Sequence, residues 1–197
     1  MRLREDISEI LARQGGMILT RQVTECGLSL TMLSRYAKAG LLLREKSGVY
    51  TTPDGFVDPM LLMSLRMKQG VLSHGTALYL NGLTDRTPLE LDVTIPKTVG
   101  VTTSLRKEAR WFYVPDDVVQ MGMVVKRTPF GNEVRTYDVE RTICDIIRNR
   151  RRIGDELALD GVRQYAALKT KNLARLGDYS SRLGITDEVM RTLEVVL

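Results

Sequence analysis

Four groups of residues in this chain have the types and spacing that chemistry requires. His74, the single histidine, follows Ser73, and a histidine beside a serine is the starting point of a base–nucleophile pair. No acid can be assigned to orient the ring. The pair also falls in the first turn of an expected helix, where Ser73 reads more simply as an N-cap. Glu90 and Asp92 stand two apart in a strand-like run that follows a helix beginning His74-Gly75-Thr76. Two carboxylates on one strand face can hold Mg²⁺ while a glycine-led helix start receives phosphate. Here a glycine doublet is replaced by His74-Gly75 and no third carboxylate on a neighbouring strand is evident, so no catalytic residue, metal or cofactor is assigned. The third group is Ser29, Thr31, Met32, Arg35 and Lys38 on one short helix, with Arg44 and Lys46 just beyond it. The fourth is the run Arg148, Arg150, Arg151 and Arg152.

The third group carries the most information, because its elements can be read. Ile7, Ile10 and Leu11 form a helical stripe that Gly15-Gly16 ends. Met17-Ile18-Leu19 is a short entry strand. Thr20 is the expected cap of a helix running to Cys26, with Gly27 as its left-handed stop. Ser29 then caps a helix over Leu30–Ala39, and Leu28 and Leu33 are spaced as a hydrophobic staple. Leu30, Leu33 and Ala37 share one face of that helix and define its expected core side. A wheel at about 100° per residue puts Thr31, Met32, Arg35 and Ala39 opposite, with Lys38 on the flank.

That outward face is small, flat, basic and tipped by a bare thioether. Arginine forks onto guanine, threonine serves base or phosphate, and an apolar tip rests on a thymine methyl, so the mixture suits a DNA major groove. Leu41–Glu45 and Val49–Thr52 pair as strands around Lys46-Ser47-Gly48, which puts Arg44 and Lys46 at the tip of a wing. Helix, turn, helix and hairpin is the winged helix-turn-helix order. Pro53-Asp54-Gly55 and Asp58-Pro59 break the pattern and set the expected boundary between a DNA-binding domain, 1–56, and a second domain, 57–197.

The second domain is expected to begin with helices at Met60–Lys68 and Ser73–Leu80. Strands follow at Leu89–Ile95, Arg110–Val114, Met121–Arg127 and Glu133–Tyr137. Asp138 caps a helix whose Val139, Ile143, Ile146 and Ile147 share a face, and helices centred on Val162, Leu176 and Leu193 close the chain. The fold class is therefore α+β, with an antiparallel sheet in the second domain followed by helices.

Bulk properties agree with a nucleic-acid partner without demanding one. The 197 residues carry a formal net charge of +5, with a pI near 9.3. Residues 1–58 hold eight basic and seven acidic side chains, so contact there depends on where the cations sit rather than on their excess. Cys26 and Cys144 lie far apart with no ligand spacing, which suits free thiols in a reducing cytoplasm. The early acids of MRLREDISEILARQ leave no signal-peptide core. No apolar run reaches the roughly 20 residues of a membrane span.

The run GLSLTMLSRYAKAGLLLREKSGVYT resembles the N-terminal winged helix of AbiEi-type antitoxins, in which a glycine precedes a capped recognition helix and a Gly-Leu leads into a wing ending Gly-Val-Tyr. Gly40-Leu41 and Gly48-Val49-Tyr50 stand in those places. The likeness continues through LSHGTALYLNGLTD (72–85), TYDVERTICDIIRNR (136–150) and LARLGDYSSRLGITDEVMRTLEVVL (173–197). Relatives often have more arginine in the recognition helix, a departure that bears on the operator sequence. The resemblance implies a cytoplasmic antitoxin of an abortive-infection system that represses its own operon at inverted repeats in the promoter. It also implies that the second domain counteracts a nucleotidyltransferase-like toxin, with Arg148, Arg151 and Arg152 as a candidate antitoxicity or nucleic-acid surface. The alternatives are a transcription factor with a sensing C-terminal domain and a Mg²⁺-dependent nucleotidyltransferase built on Glu90 and Asp92.

Overall fold

Apolar stripes and glycine stops divide the chain much as their spacing suggests. The computed structural model describes residues 1–46 and 48–196; Ser47, part of the expected turn, Leu197, and the side chains of Lys46, Val195 and Val196 lie outside the described residues. The chain forms two compact units, Met1–Met63 with Arg127–Glu133, and Ser64–Lys126 with Val134–Leu197.

In the first unit, α1 (Glu5–Arg13) buries Ile7, Ile10 and Leu11. It is followed by β1 (Met17–Leu19), α2 (Thr20–Glu25), α3 (Thr31–Lys38), β2 (Leu43–Lys46) and β3 (Val49–Thr51). The strands form an antiparallel sheet in the order β1-β3-β2, with Ile18 opposite Tyr50 and Arg44 also opposite Tyr50 on the other side. Gly27 adopts φ 71°, the left-handed conformation that lets α2 stop and the chain turn into α3. Leu28 N–H then donates back to the Val23 carbonyl at 3.0 Å. Leu30, at φ −60° and ψ −27°, takes the cap position of α3 with no side-chain cap bond. The helix thus starts one residue later than expected, and Ser29 Oγ accepts from Thr31 N–H at 3.4 Å just ahead of it. Leu28 and Leu33 meet in the same core cluster, completing the staple.

Thr20 departs from expectation. It is the first residue of α2 rather than its cap; Leu19 takes the cap position, where its N–H is satisfied by Gln22 Oε1 at 2.9 Å. Thr20 N–H instead donates to the Gly48 carbonyl at 2.9 Å. Gly48 has φ 76°, and a Cβ there would come within 2.9 Å of Thr20 Oγ1. The wing root is thereby pinned to the start of α2. After β3, Asp58 caps α4 (Pro59–Arg66), its Oδ1 accepting from Met60 N–H at 2.9 Å.

The second unit takes up the end of α4. It continues with β4 (Val71–Leu72), α5 (His74–Leu80), β5 (Leu91–Pro96), α6 (Thr103–Arg106), β6 (Ala109–Val114), β7 (Met123–Arg127) and β8 (Glu133–Tyr137). The helices α7 (Val139–Arg148), α8 (Arg150–Ile153), α9 (Asp155–Ala167), α10 (Leu173–Arg182) and α11 (Thr186–Val196) follow. The fold class is α+β, but the five-stranded sheet, ordered β6-β5-β4-β8-β7, is mixed rather than antiparallel. β5 and β6 run parallel with Val93 opposite Trp111, and Leu72 of β4 pairs in parallel with Thr136 of β8. The central strand β4 has only two residues, too few to produce a pattern. Without it, consecutive strands read as a simple meander. Against one another, α5, α7, α9, α10 and α11 bury Leu78, Ile143, Ile146, Val162 and Leu176. Among the described residues no helix is long and apolar enough to cross a membrane.

Candidate nucleic-acid interface

The helix α3 packs on its neighbours through Leu33 and Tyr36, which are 0% and 2% exposed, while Leu30 is 45% exposed. At about 100° per residue, the core direction set by Leu33 and Tyr36 is turned roughly 60° from the one that Leu30, Leu33 and Ala37 would set. Tyr36 explains the turn. Its ring supplies more apolar surface than a leucine in the first turn, and its hydroxyl accepts from Arg4 N–H at 3.2 Å, so the aromatic is buried with its polar end satisfied.

The rotation corrects one residue and adds two. Met32 is half-buried and packs against the core of Leu33 and its neighbours, so it is not a bare thioether on the outer face. Thr31, Ser34, Arg35 and Lys38 are exposed at spacings of i, i+3, i+4 and i+7, a single stripe. Ser29 is exposed at the head of that stripe, its Oγ 2.8 Å from Thr31 Oγ1. A helical wheel anchored on Leu30 instead of Tyr36 turns Ser34 and Leu30 away from the outer face. Beyond α3, Arg44 is exposed. The ladder is irregular between Arg44 and Lys46, with Lys46 opposite Val49; the Lys46 side chain is outside the described residues.

The arginine run of the second unit divides in two. All four arginines are exposed; no ion pair or hydrogen bond of the Arg148 and Arg151 side chains is found among the described residues, whereas Arg150 Nε lies 3.7 Å from Asp155. Arg152 is committed to its own unit. Its guanidinium sits 4.4 Å from the centre of the Phe112 ring, and its Nη2 donates to the Trp111 carbonyl at 3.2 Å. Attraction to the ring face and a carbonyl acceptor hold the group in place.

The Asp92 carboxylate is engaged as well. It accepts from Arg110 Nε at 2.6 Å and Arg110 Nη2 at 3.0 Å, and from Gly75 N–H at 2.8 Å. Burial raises its pKa, and the hydrogen bond from Arg110 opposes that shift. The cation facing Asp92 is thus a guanidinium, and Glu90 lies exposed ahead of β5. Among the described residues no cluster of three or more His, Cys, Asp or Glu side chains is placed to hold a metal.

His74 lies beside this ion pair and serves as a clamp. It is 1% exposed, has φ 46° and stacks on Phe112 with ring centres 3.5 Å apart. Asn149 Nδ2 lies 3.0 Å from its Nε2, and its Nδ1 lies 2.8 Å from Ser73 Oγ. With the amide as donor, Nδ1–H donates to Ser73, whose oxygen also accepts from Thr94 Oγ1 at 2.8 Å. Ser73 keeps the cap position of α5 but spends its hydroxyl on this network. Burial first, and then Arg110, Arg141, Arg152 and Arg148, hold the imidazole well below its ordinary pKa of 6.5. The unfolded chain therefore takes up a proton near that value while the folded chain does not. Stability is full above about pH 6.5 and is expected to fall as the pH drops below it. Urea unfolding across pH 7.5 to 5 checks this: His74→Asn, which tolerates the positive φ, should flatten the dependence.

The sequence model of the family described as "Transcriptional regulator, AbiEi antitoxin" matches residues 5–53, from the first residue of α1 to just past β3. No curated protein matches. Among solved structures, the crystal structure of the RV2827C protein from Mycobacterium tuberculosis is similar over 96% of this chain and 75% of that one. The TM-score is 0.64 at 14% identity, a likeness of fold alone. Residues 5–53 form a winged helix-turn-helix, and over that segment the chain is similar to the AbiEi antitoxin transcriptional regulators.

Proposed function

We propose that the chain is a cytoplasmic autorepressor and antitoxin. Residues 1–56 bind inverted repeats in the promoter of its own operon, and residues 57–197 counteract a nucleotidyltransferase-like toxin. The observation that carries the DNA reading is the exposed stripe of Thr31, Arg35 and Lys38 on α3 beside a wing that bears Arg44. A positively charged helix with its core side fully occupied and a flanking ribbon has the form that enters a major groove. The toxin-directed half rests on the family matched by residues 5–53, with Arg148, Arg151 and Arg152 as exposed cations on which that surface would depend.

Fluorescence anisotropy with duplexes from the chain's own promoter tests the first half. Affinity should fall linearly on a log–log plot against salt, as counterion release requires. Arg35→Ala should cost about 1–3 kcal/mol and relax selectivity at one base pair. Unchanged affinity in that variant would falsify the assignment of α3. Co-expression of the full chain carrying Arg148→Glu and Arg151→Glu with the neighbouring toxin gene tests the second half, growth arrest being the supporting result.

A further inference from the structure

The rotation of α3 has a consequence for what the helix reads. Its N-terminal cap residue is Leu30, 45% exposed and outside the core cluster that holds Leu33 and Tyr36. In helix-turn-helix docking the N-terminal residues of the second helix approach the base edges. Met32, the apolar side chain expected to do this, is drawn towards the core. On the wheel, Ser34 falls about 40° from Leu30 and Lys38 about 40° beyond that, placing Ser34 between Leu30 and the cationic middle of the exposed arc. Among the described residues the Ser34 hydroxyl makes no hydrogen bond within the chain, whereas Thr31 Oγ1 is already 2.8 Å from Ser29 Oγ.

We infer that Leu30 and Ser34, and not Met32, complete the base-reading face of α3, with the Leu30 side chain resting on a thymine C5-methyl. This rests on α3 being the reading helix. The exposed part of Leu30 gains nothing from its own fold, but a thymine methyl in the major groove gives it an apolar surface to cover. The serine beside it is short enough to let the helix approach and can donate to, or accept from, a base edge.

The test uses the full chain. A bound site is selected from randomised duplexes, and each thymine in it is then replaced singly by deoxyuracil, which removes only the methyl group. Wild-type affinity should fall about fourfold at one position in each half-site, the equivalent of one apolar methyl returned to water. Leu30→Ala should be insensitive at that position, and Met32→Ala should keep the sensitivity. Ser34→Ala should lose discrimination at one adjacent base pair. The inference is overturned if no thymine is sensitive, if sensitivity survives in Leu30→Ala, or if Met32→Ala abolishes it. Arg35→Ala separates this failure from a larger one. If it binds the selected site as tightly as wild type, α3 is not the reading helix at all; if it binds weakly while the deoxyuracil scan is silent, only the Leu30 assignment fails.

Discussion

Replacing Arg141 with alanine is expected to destabilise the second unit by about 3–5 kcal/mol, a large part of the stability of a domain this size. Arg141 is 0% exposed and Asp145, one turn along α7, is 3% exposed. Arg141 Nε lies 3.1 Å and 3.2 Å from the two Asp145 oxygens. Its Nη1 donates to the Val118 carbonyl at 2.8 Å and the Met121 carbonyl at 3.0 Å, and its guanidinium lies 4.4 Å from the Tyr137 ring centre. Truncation removes every one of these contacts and strands a carboxylate that burial already pushes up in pKa against the pull of Arg141. Trp111 is the single tryptophan and lies in the second unit, so its fluorescence follows this unit during urea unfolding. A buried ion pair is worth little beyond its apolar equivalent, so Arg141→Met combined with Asp145→Leu should recover most of the loss. A single Arg141→Ala variant within 1 kcal/mol of wild type would contradict the account.

This pair shows where a sequence stops being readable. Arg141 and Asp145 at i, i+4 look like an ordinary surface ion pair, and the apolar face of Ile143, Ile146 and Ile147 marks only one side of α7. Nothing local announces that α10 and the segment before β7 cover the other sides. The neighbouring polar residues turn out to be structural too. Asp138 Oδ1 caps α7 through Arg141 N–H at 2.8 Å, and its Oδ2 accepts from Tyr179 OH at 3.0 Å. Glu140 Oε1 accepts from Asn172 N–H at 2.9 Å, and Thr142 Oγ1 donates to the Asp138 carbonyl at 2.6 Å. This block of polar residues is the means by which α7 is held to the elements around it.

The first unit was far more legible, because its signals are local. Gly27 and the Leu28–Leu33 staple each act within one or two turns and stand where their spacing puts them, while the cap of α3 moves by one residue, from Ser29 to Leu30. What failed was the sidedness of α3. A wheel weighs leucine above tyrosine, yet the hydrogen bond from Arg4 N–H that lets Tyr36 be buried crosses 32 positions of sequence. Likewise, strand content in the second unit was readable while strand direction was not. A parallel pair needs long-range partners, and the one that links β8 to the sheet centre passes through the two residues of β4.

Asp58 is the first unit's counterpart of Arg141, and Asp58→Ala is expected to cost about 2–4 kcal/mol. The residue is 1% exposed, and among the described residues no cation contributes to its hydrogen bonds. Oδ1 accepts from Met60 N–H at 2.9 Å and Leu61 N–H at 3.1 Å at the head of α4. Oδ2 accepts from Thr128 Oγ1 at 2.6 Å and Asn132 Nδ2 at 2.9 Å. The charge is tolerated because it lies at a helix N-terminus and every oxygen is fully donated to. Alanine removes a cap, worth about 1 kcal/mol, and leaves the Thr128 and Asn132 donors buried without acceptors, which costs about 1–3 kcal/mol more. Asp58→Asn keeps the shape and one acceptor but sets its amide against the Asn132 amide, so its cost should fall between wild type and alanine. Hydrogen exchange of the Met60 and Leu61 amides, followed by mass spectrometry, reads the cap directly. Both should exchange faster in Asp58→Ala, and amides of α1 should follow if losing the tie between Asp58 and the 128–132 turn loosens the whole unit. Unchanged protection at Leu61 would mean that Pro59 alone, by fixing the first turn, is enough to start α4.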